Sequence, residues 1–336
     1  MRLDDFDYPL PPERIAQHPA EPRDSARLLV DQGSAAPLHR QVRDLGEYLR
    51  EGDLLVVNDT KVIPARLRLT RETGGSAEAL LLEPIDGERR TWEAMVRPAK
   101  KMHAGEELLS AGTPLVRVLR RSDAGDTMIV ELIGDGDPLA LLQTHGEMPL
   151  PPYITAPLQQ PDRYQTVYAN LPASAAAPTA GLHFTPALLT QLESAGVRTA
   201  TVELVVGLDT FKPVSEADPR DHAMHSERYR VPADVLHACR DARRVVAVGT
   251  TSVRALESAA TLGAAEGRTR IFIHRPYDWQ LVDVLMTNFH LPRTTLLMMI
   301  DAFVGSRWRR LYDEALREEY RFLSFGDAML LDRSLN

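Results

Sequence analysis

The sequence predicts an α/β fold: a three-layer α/β domain with a mostly parallel or mixed sheet, interrupted by a small inserted β-barrel. Three observations carry this expectation. Residues 63–150 hold short β-rich pieces separated by turn signals such as Gly74-Gly75, Asp86-Gly87 and Gly134-Asp135-Gly136, the texture of a small barrel or sandwich. After Pro149-Leu150-Pro151-Pro152, strand and helix patterns alternate, which implies a layered α/β unit. A lone apolar strand precedes the β-rich segment and runs out in Asn58-Asp59-Thr60. The expected organisation is a discontinuous α/β domain, residues 1–62 plus 151–336, with residues 63–150 as the inserted barrel.

In chain order, Asp44–Leu49 reads as a short helix stopped near Gly52, and Asp53–Asn58 as a buried strand. Strands in the insert are expected at Arg66–Thr70, Ala79–Leu82, Trp92–Val96, Pro114–Leu119 and Thr127–Ile133. Thr185 is placed to cap a helix over Pro186–Ala195, with Pro186 at its first position. A strand over Val197–Val206 follows the Gly196 stop, then a helix over Pro232–Arg243, a strand at Val245–Val248 and a helix over Thr251–Leu262. Arg270–Ile273 reads as a further strand. Thr294–Phe303 is apolar enough for a buried helix, and Trp308–Tyr320, with its interspersed charges, reads as a surface helix.

Composition narrows the function. With 336 residues, 44% hydrophobic and 26% charged, the chain has the make-up of an ordinary globular protein rather than a disordered or fibrous one. The single cysteine, Cys239, excludes an internal disulfide framework and a zinc site built on several thiolates. Met1–Asp7 is acidic and lacks an apolar core, so no signal peptide is expected. No run reaches the roughly 18 apolar residues of a membrane span; a cytoplasmic location is expected. The 39 Lys and Arg against 47 Asp and Glu give a net charge of −8, which at face value argues against a polyanionic partner. The distribution says otherwise. Lys61–Arg121 carries 12 basic against 8 acidic residues, and Arg307, Arg309 and Arg310 flank Trp308; such clusters can neutralise phosphates locally.

Three segments have the residue types that chemistry needs. Val245–Val248 runs into Gly249-Thr250-Thr251-Ser252-Val253-Arg254. A strand, a Gly-hydroxyl turn and a helix start offer free N–H groups and a positive dipole end to a carboxylate or phosphate, and Arg254 adds a fork donor. Plain helix capping by Thr250 or Thr251 is the alternative. Ala177–Thr185 is a loop of small residues containing His183, either a proton carrier or the fastener of its loop. Thr287-Asn288-Phe289-His290-Leu291-Pro292 closes an apolar run that contains Asp283; strand ends of open α/β sheets are where ligands bind. Asp283 is expected to be buried, and so to need a partner. The spacing His222-x-x-His225 lacks a third ligand, so no metal is expected. Tyr153, Tyr164 and Tyr168 are candidates for base stacking, or for core and rim. There is no Walker or G-x-G-x-x-G loop, and Ser252 lacks a nucleophile elbow.

Nine stretches spread from end to end carry a resemblance. They are Phe6–Pro11, Gly52–Leu67 (GDLLVVNDTKVIPARL), Gly146–Ile154, Tyr164–Ala169, Ala176–Thr185 (AAPTAGLHFT), His222–Tyr229, Val248–Ser258 (VGTTSVRALES), Thr287–Pro292 and Tyr320–Leu330 (YRFLSFGDAML). In order and content the chain resembles the S-adenosylmethionine:tRNA ribosyltransferase-isomerase family of queuosine biosynthesis. The resemblance implies an α/β domain with an inserted barrel. It also implies that the ribosyl unit of S-adenosylmethionine moves to the aminomethyl group of 7-aminomethyl-7-deazaguanine in the tRNA anticodon, giving epoxyqueuosine-tRNA with release of adenine and methionine. No prosthetic group is expected, S-adenosylmethionine being the ribosyl donor, and a monomer is expected.

On this reading His183 and His290 are the acid/base candidates, with Asp283 orienting them or balancing charge, and the Gly249–Arg254 turn takes the methionine carboxylate. Substrate contacts are expected from Asn58, Arg66, Tyr164, Gln165, Tyr168, Thr179, Gly181, Phe184, Gly249, Thr250, Thr251, Arg254, Thr287 and Asn288. Contacts to tRNA are expected from Arg97, Lys100, Lys101, Arg307, Arg309 and Arg310. The chain departs from the family pattern at Val205, where a histidine is usual, at Asp209 and Ala173, where glycine is usual, and at Arg275-Pro276, where Pro-Gly is usual. Three other readings stay open at this point: a tRNA-binding relative without catalysis, an S-adenosylmethionine-dependent tRNA methyltransferase, and a metabolite-binding α/β protein without RNA.

Overall fold

The computed structural model describes all residues except Ala124, Asp126, 208–213, 215 and 336. Asp209 therefore lies outside the described residues. The strands are β1 (Arg27–Val30), β2 (Leu38–Gln41), β3 (Leu54–Asn58), β4 (Thr60–Val62), β5 (Arg66–Arg71), β6 (Ser76–Pro84), β7 (Thr91–Arg97), β8 (Glu107–Ser110), β9 (Thr113–Arg121), β10 (Met128–Leu132), β11 (Gly146–Glu147), β12 (Leu171–Ser174), β13 (Arg198–Leu204), β14 (Glu227–Arg230), β15 (Val245–Val248), β16 (Glu266–Thr269), β17 (Val284–Asn288) and β18 (Ala328–Asp332). The α-helices are α1 (Pro138–His145), α2 (Pro186–Ser194), α3 (Ala233–Asp241), α4 (Gly249–Leu262), α5 (Thr295–Val304) and α6 (Trp308–Arg317).

Nine strands form one mixed sheet in the order β16-β14-β13-β3-β15-β17-β18-β1-β2. Its middle, β13-β3-β15-β17, is parallel, and β18 inserts antiparallel between β17 and the parallel partner β1. β3 shows why the middle reads as a continuous apolar run. Leu54 and Val56 pack into one apolar cluster with Val202, Ala247 and Leu285, while Leu55 and Val57 pack into a second with Leu28, Val246 and Met286. Both faces of the strand are buried, as parallel sheets require.

The insert closes on itself. Its order is β5-β6-β7-β10-β9-β8, with β8 pairing back to β5 at Thr70↔Leu109, so six antiparallel strands form a barrel with no free edge. Inward residues such as Leu67, Leu81, Trp92, Val116 and Val130 fill it.

Several expectations need correction. Residues 270–273 are not a strand; pairing with β14 ends at Thr269, whose hydroxyl accepts from Ile271 N and so turns the chain. The first helical segment is a 3-10 turn over Val42–Glu47. Helix α6 is amphipathic rather than a surface helix, burying Trp308, Leu311, Tyr312 and Ala315. β1, β2, β14 and β18 lie in segments where no strand was expected.

Candidate functional site

The C-terminal ends of β15 and β17 border a small cleft of about 50 Å³. It is lined by Thr179, Gly249, Thr250, Thr251, Thr287, Asn288 and His290, with Tyr153, Ser324 and apolar residues including Ala180, Phe289 and Leu296 completing the wall. The start of α4 forms one side. Gly249 takes a left-handed φ of 82°, the turn that lets the chain leave β15 and enter the helix at once. The N-cap is Val248, which has no side-chain acceptor, so capping by Thr250 or Thr251 does not occur. The first-turn N–H groups and the dipole end are left facing the cleft, and Thr251 Oγ1 is buried without a partner.

The opposite side is hydrogen-bonded in a chain. Thr179 Oγ1 donates to Asn288 Oδ1 at 3.0 Å, and Asn288 Nδ2 donates to Leu323 O at 3.0 Å. Tyr153 OH and Ser324 Oγ lie 2.7 Å apart. His290 is fixed at its backbone, where its N–H donates to Tyr312 OH at 3.0 Å and its carbonyl accepts from Tyr8 OH. Its Nε2 lies 3.1 Å from Thr287 Oγ1. Burial pushes the His290 imidazole down to about 3, so it is neutral at physiological pH and resists protonation. Sequence reasoning missed Tyr8, Tyr312, Leu323 and Ser324. Tyr8, Leu323 and Ser324 lie in the Phe6–Pro11 and Tyr320–Leu330 stretches, whereas Tyr312 lies outside both.

Other candidates lie elsewhere. His183 stands behind the cleft wall, with Nδ1 3.0 Å from Ala180 O and Nε2 2.9 Å from Gly326 O; burial lowers its pKa against those two carbonyls. A neutral imidazole donates to only one of the two carbonyls, so it fastens its loop from outside the cleft lining. Asp283 is neither buried nor near the histidines. It precedes β17, about 13 Å along the strand from Thr287, accepts from Val245 N at 2.9 Å, and pairs with Arg333. Asn58 is buried and committed to backbone, donating to Leu204 O and accepting from Thr60 N. Phe184 and Tyr164 are core residues with no exposure. Arg254 is buried against Glu227, with Nε and Nη2 unpartnered, and is not among the cleft-lining residues. Gly181 exists for close packing, because a Cβ there would come within 2.0 Å of Tyr168 OH.

A larger groove, about 920 Å³, runs between the barrel and the segment after it. Lys61, Arg66, Arg68 and Arg97 line it, with Gln165 holding both backbone groups of Val62. Lys100 and Lys101 are exposed on the turn after β7. The second basic cluster is spent internally. Arg307 forms an ion pair with the buried Asp31, Arg310 donates to Gly33 O and Ser34 O, and Arg309 donates to Asp5 O while lying over the Trp308 ring. His222 pairs with Glu216, 2.9 Å away.

A small-ligand cleft at a helix start, adjoining a cation-lined groove, is the layout of an enzyme that handles a metabolite beside a larger anionic molecule. The family described as queuosine biosynthesis protein matches residues 3–331, and the chain belongs to it. It is 50% identical to the S-adenosylmethionine:tRNA ribosyltransferase-isomerase of Symbiobacterium thermophilum, over 98% of this chain and 100% of that one. Identity to the protein of the same name from Thermus thermophilus is 49%, over 98% and 99%. The crystal structure of S-adenosylmethionine tRNA ribosyltransferase from Thermotoga maritima matches with a TM-score of 0.55 at 39% identity, covering 97% of this chain and 99% of that one.

Proposed function

We propose that this chain transfers the ribosyl unit of S-adenosylmethionine to the aminomethyl group of 7-aminomethyl-7-deazaguanine in the tRNA anticodon. The product is epoxyqueuosine-tRNA, with adenine and methionine released. The observation that carries the reading is the end-to-end identity of about half to enzymes of that name, on a chain with a cleft at the strand ends of its central sheet. In this reading the uncapped first turn of α4 takes the methionine carboxylate. His290, neutral and held beside Thr287, offers its ring nitrogens as hydrogen-bond partners to the donor substrate. The apolar wall keeps water from the reacting cation. The groove lined by Lys61, Arg66 and Arg97, with Lys100 and Lys101 beyond it, receives the tRNA backbone. We read residues 1–62 with 151–336 as a three-layer catalytic domain and 63–150 as the barrel domain, in a cytoplasmic, monomeric enzyme.

Incubation with ribose-labelled S-adenosylmethionine and tRNA bearing the aminomethyl base is the test. Free adenine with label in the tRNA is expected. S-adenosylhomocysteine would identify a methyltransferase instead, and tRNA binding without adenine release would identify a non-catalytic relative.

A further inference from the structure

The pairing of the three central strands sets Ala247 beside Val56 and Val248 beside Met286. One step further, Asn58, Gly249 and Thr287 fall in one row at the C-terminal edge, and Gly249 and Thr287 line the cleft. Asp59 is the next residue along, about 6 Å from Gly249 by strand spacing and rise. On its other side, Lys61 and Val62 of β4 already line the large groove. Asp59 therefore stands between the donor cleft and the groove assigned to tRNA.

Its carboxylate is only partly engaged, by its own backbone. The backbone is fully used, with Asp59 N donating to Val202 O and Asp59 O accepting from Asn170 N and Leu171 N, yet Oδ1 is buried without a hydrogen bond. Neighbouring hydroxyls share this state: Thr60 Oγ1, Thr166 Oγ1 and Tyr168 OH are buried and unpartnered. Thr166 and Tyr168 both pack on Gly181, in the turn that carries the cleft residues Thr179 and Ala180. Buried polar groups are almost always satisfied, so four unsatisfied acceptor-capable atoms in adjoining segments call for a donor from outside the chain. A carboxylate with hydroxyls around it suits a primary ammonium, which has three N–H donors and no acceptor.

We propose that Asp59, with the hydroxyls of Thr60, Thr166 and Tyr168, forms the subsite for the protonated aminomethyl group of the acceptor base, and that Asp59 removes its proton. This rests on the transferase reading above. The step is –CH₂NH₃⁺ plus carboxylate giving –CH₂NH₂ plus carboxylic acid: one N–H bond breaks, its electron pair stays on nitrogen, and an O–H bond forms on Asp59. That pair is the one that makes the new C–N bond. The charged groups facing Asp59 are Glu203 on β13, Arg230 on β14 and, beyond the Tyr168 ring, Arg23. Arg230 is already paired with Glu203 at 3.0 Å, so it does not neutralise Asp59. Burial, with Glu203 adding to it, raises the Asp59 pKa, and burial lowers that of an amine, bringing donor and acceptor together.

The test compares wild type with Asp59→Asn and Asp59→Glu, using adenine release with aminomethyl tRNA, calorimetric binding of S-adenosylmethionine alone, and thermal melting. An amine with pKa about 10 is neutral in about one molecule in a thousand at pH 7. D59N is expected to lose about that factor in kcat, to bind S-adenosylmethionine within twofold of wild type, and to regain about tenfold in rate per pH unit from 7 to 9. Wild type and D59E stay flat over that range. A D59N enzyme with wild-type kcat, with a pH-independent defect, or with lost donor affinity overturns the proposal. Wild type that releases no adenine overturns the transferase reading and this one with it.

Discussion

At the scale of the residue, His290 shows how burial sets both chemistry and pH response. Its imidazole is pushed down to about 3 by desolvation, against about 6.5 in the unfolded chain. Above pH 6.5 neither state binds the proton, and the full stability is present. As pH falls from about 6.5 towards about 3, the unfolded chain takes up a proton that the folded one refuses, so stability is lost by up to about 1.4 kcal/mol per pH unit. The His290→Gln variant removes that term. Chemical denaturation at pH 7 and pH 5 is expected to show a smaller loss for H290Q than for wild type. The same substitution removes the imidazole beside Thr287, and kcat is expected to fall by about tenfold, the worth of one hydrogen bond to the reacting donor. Equal pH slopes for the two proteins would contradict the burial argument, and an unchanged kcat would contradict the role.

At the scale of the element, the segment Arg321–Asp327 is an irregular loop made rigid by its partners. Asp327 accepts from Arg27 N at 3.0 Å and Arg321 N at 2.8 Å. Asn288 holds Leu323 O, and His183 holds Gly326 O. Gly326 itself is pressed against Arg321 O, 2.4 Å from where a Cβ would sit. Because Leu323 and Ser324 line the cleft, His183 shapes the site without touching it. His183→Ala removes a buried ring and the one carbonyl hydrogen bond that its neutral imidazole donates. It is expected to cost about 2–4 kcal/mol, read as a lower denaturation midpoint, and to raise KM for S-adenosylmethionine more than it lowers kcat. The sequence supports only half of this. A histidine in a small-residue loop is legible, but its partner lies 143 residues away, and no local pattern reveals that. Likewise α2, with Thr185 accepting from Leu188 N and Pro186 at its first position, was readable from capping chemistry alone. β18, a run buried on both faces, has no period to read. Asp283 misled for a related reason: an acid within an apolar run looks buried, whereas it sits just before the strand, at the solvent-facing end.

At the scale of the whole molecule, the alternation of β5–β10 and their glycine turns made the barrel legible, and the alternating elements around it showed the parallel middle of the sheet but not its β1, β2, β14 and β18 strands. What stayed hidden was which charges are free. Arg307, Arg309 and Arg310 look like a patch in one dimension, but they stitch α6 to Asp31, to the Gly33-Ser34 turn and to Asp5. Those partners are about 276 residues or more away in sequence. Lys61, Arg66 and Arg97 instead face a common groove. The two clusters are therefore expected to respond oppositely. Replacing Lys61 or Arg97 by Gln should weaken tRNA binding and reduce the slope of log affinity against log salt by about one per residue, because each phosphate contact releases about one counterion. Melting should be nearly unchanged. Replacing Arg307 by Gln strands the buried Asp31 carboxylate and should lower stability by about 3–5 kcal/mol while leaving the salt slope of the folded fraction as it was. Filter binding across 50–300 mM salt with parallel melting curves separates these outcomes. A salt slope that falls with Arg307 and not with Lys61 or Arg97 would move the tRNA seat to the other side of the molecule.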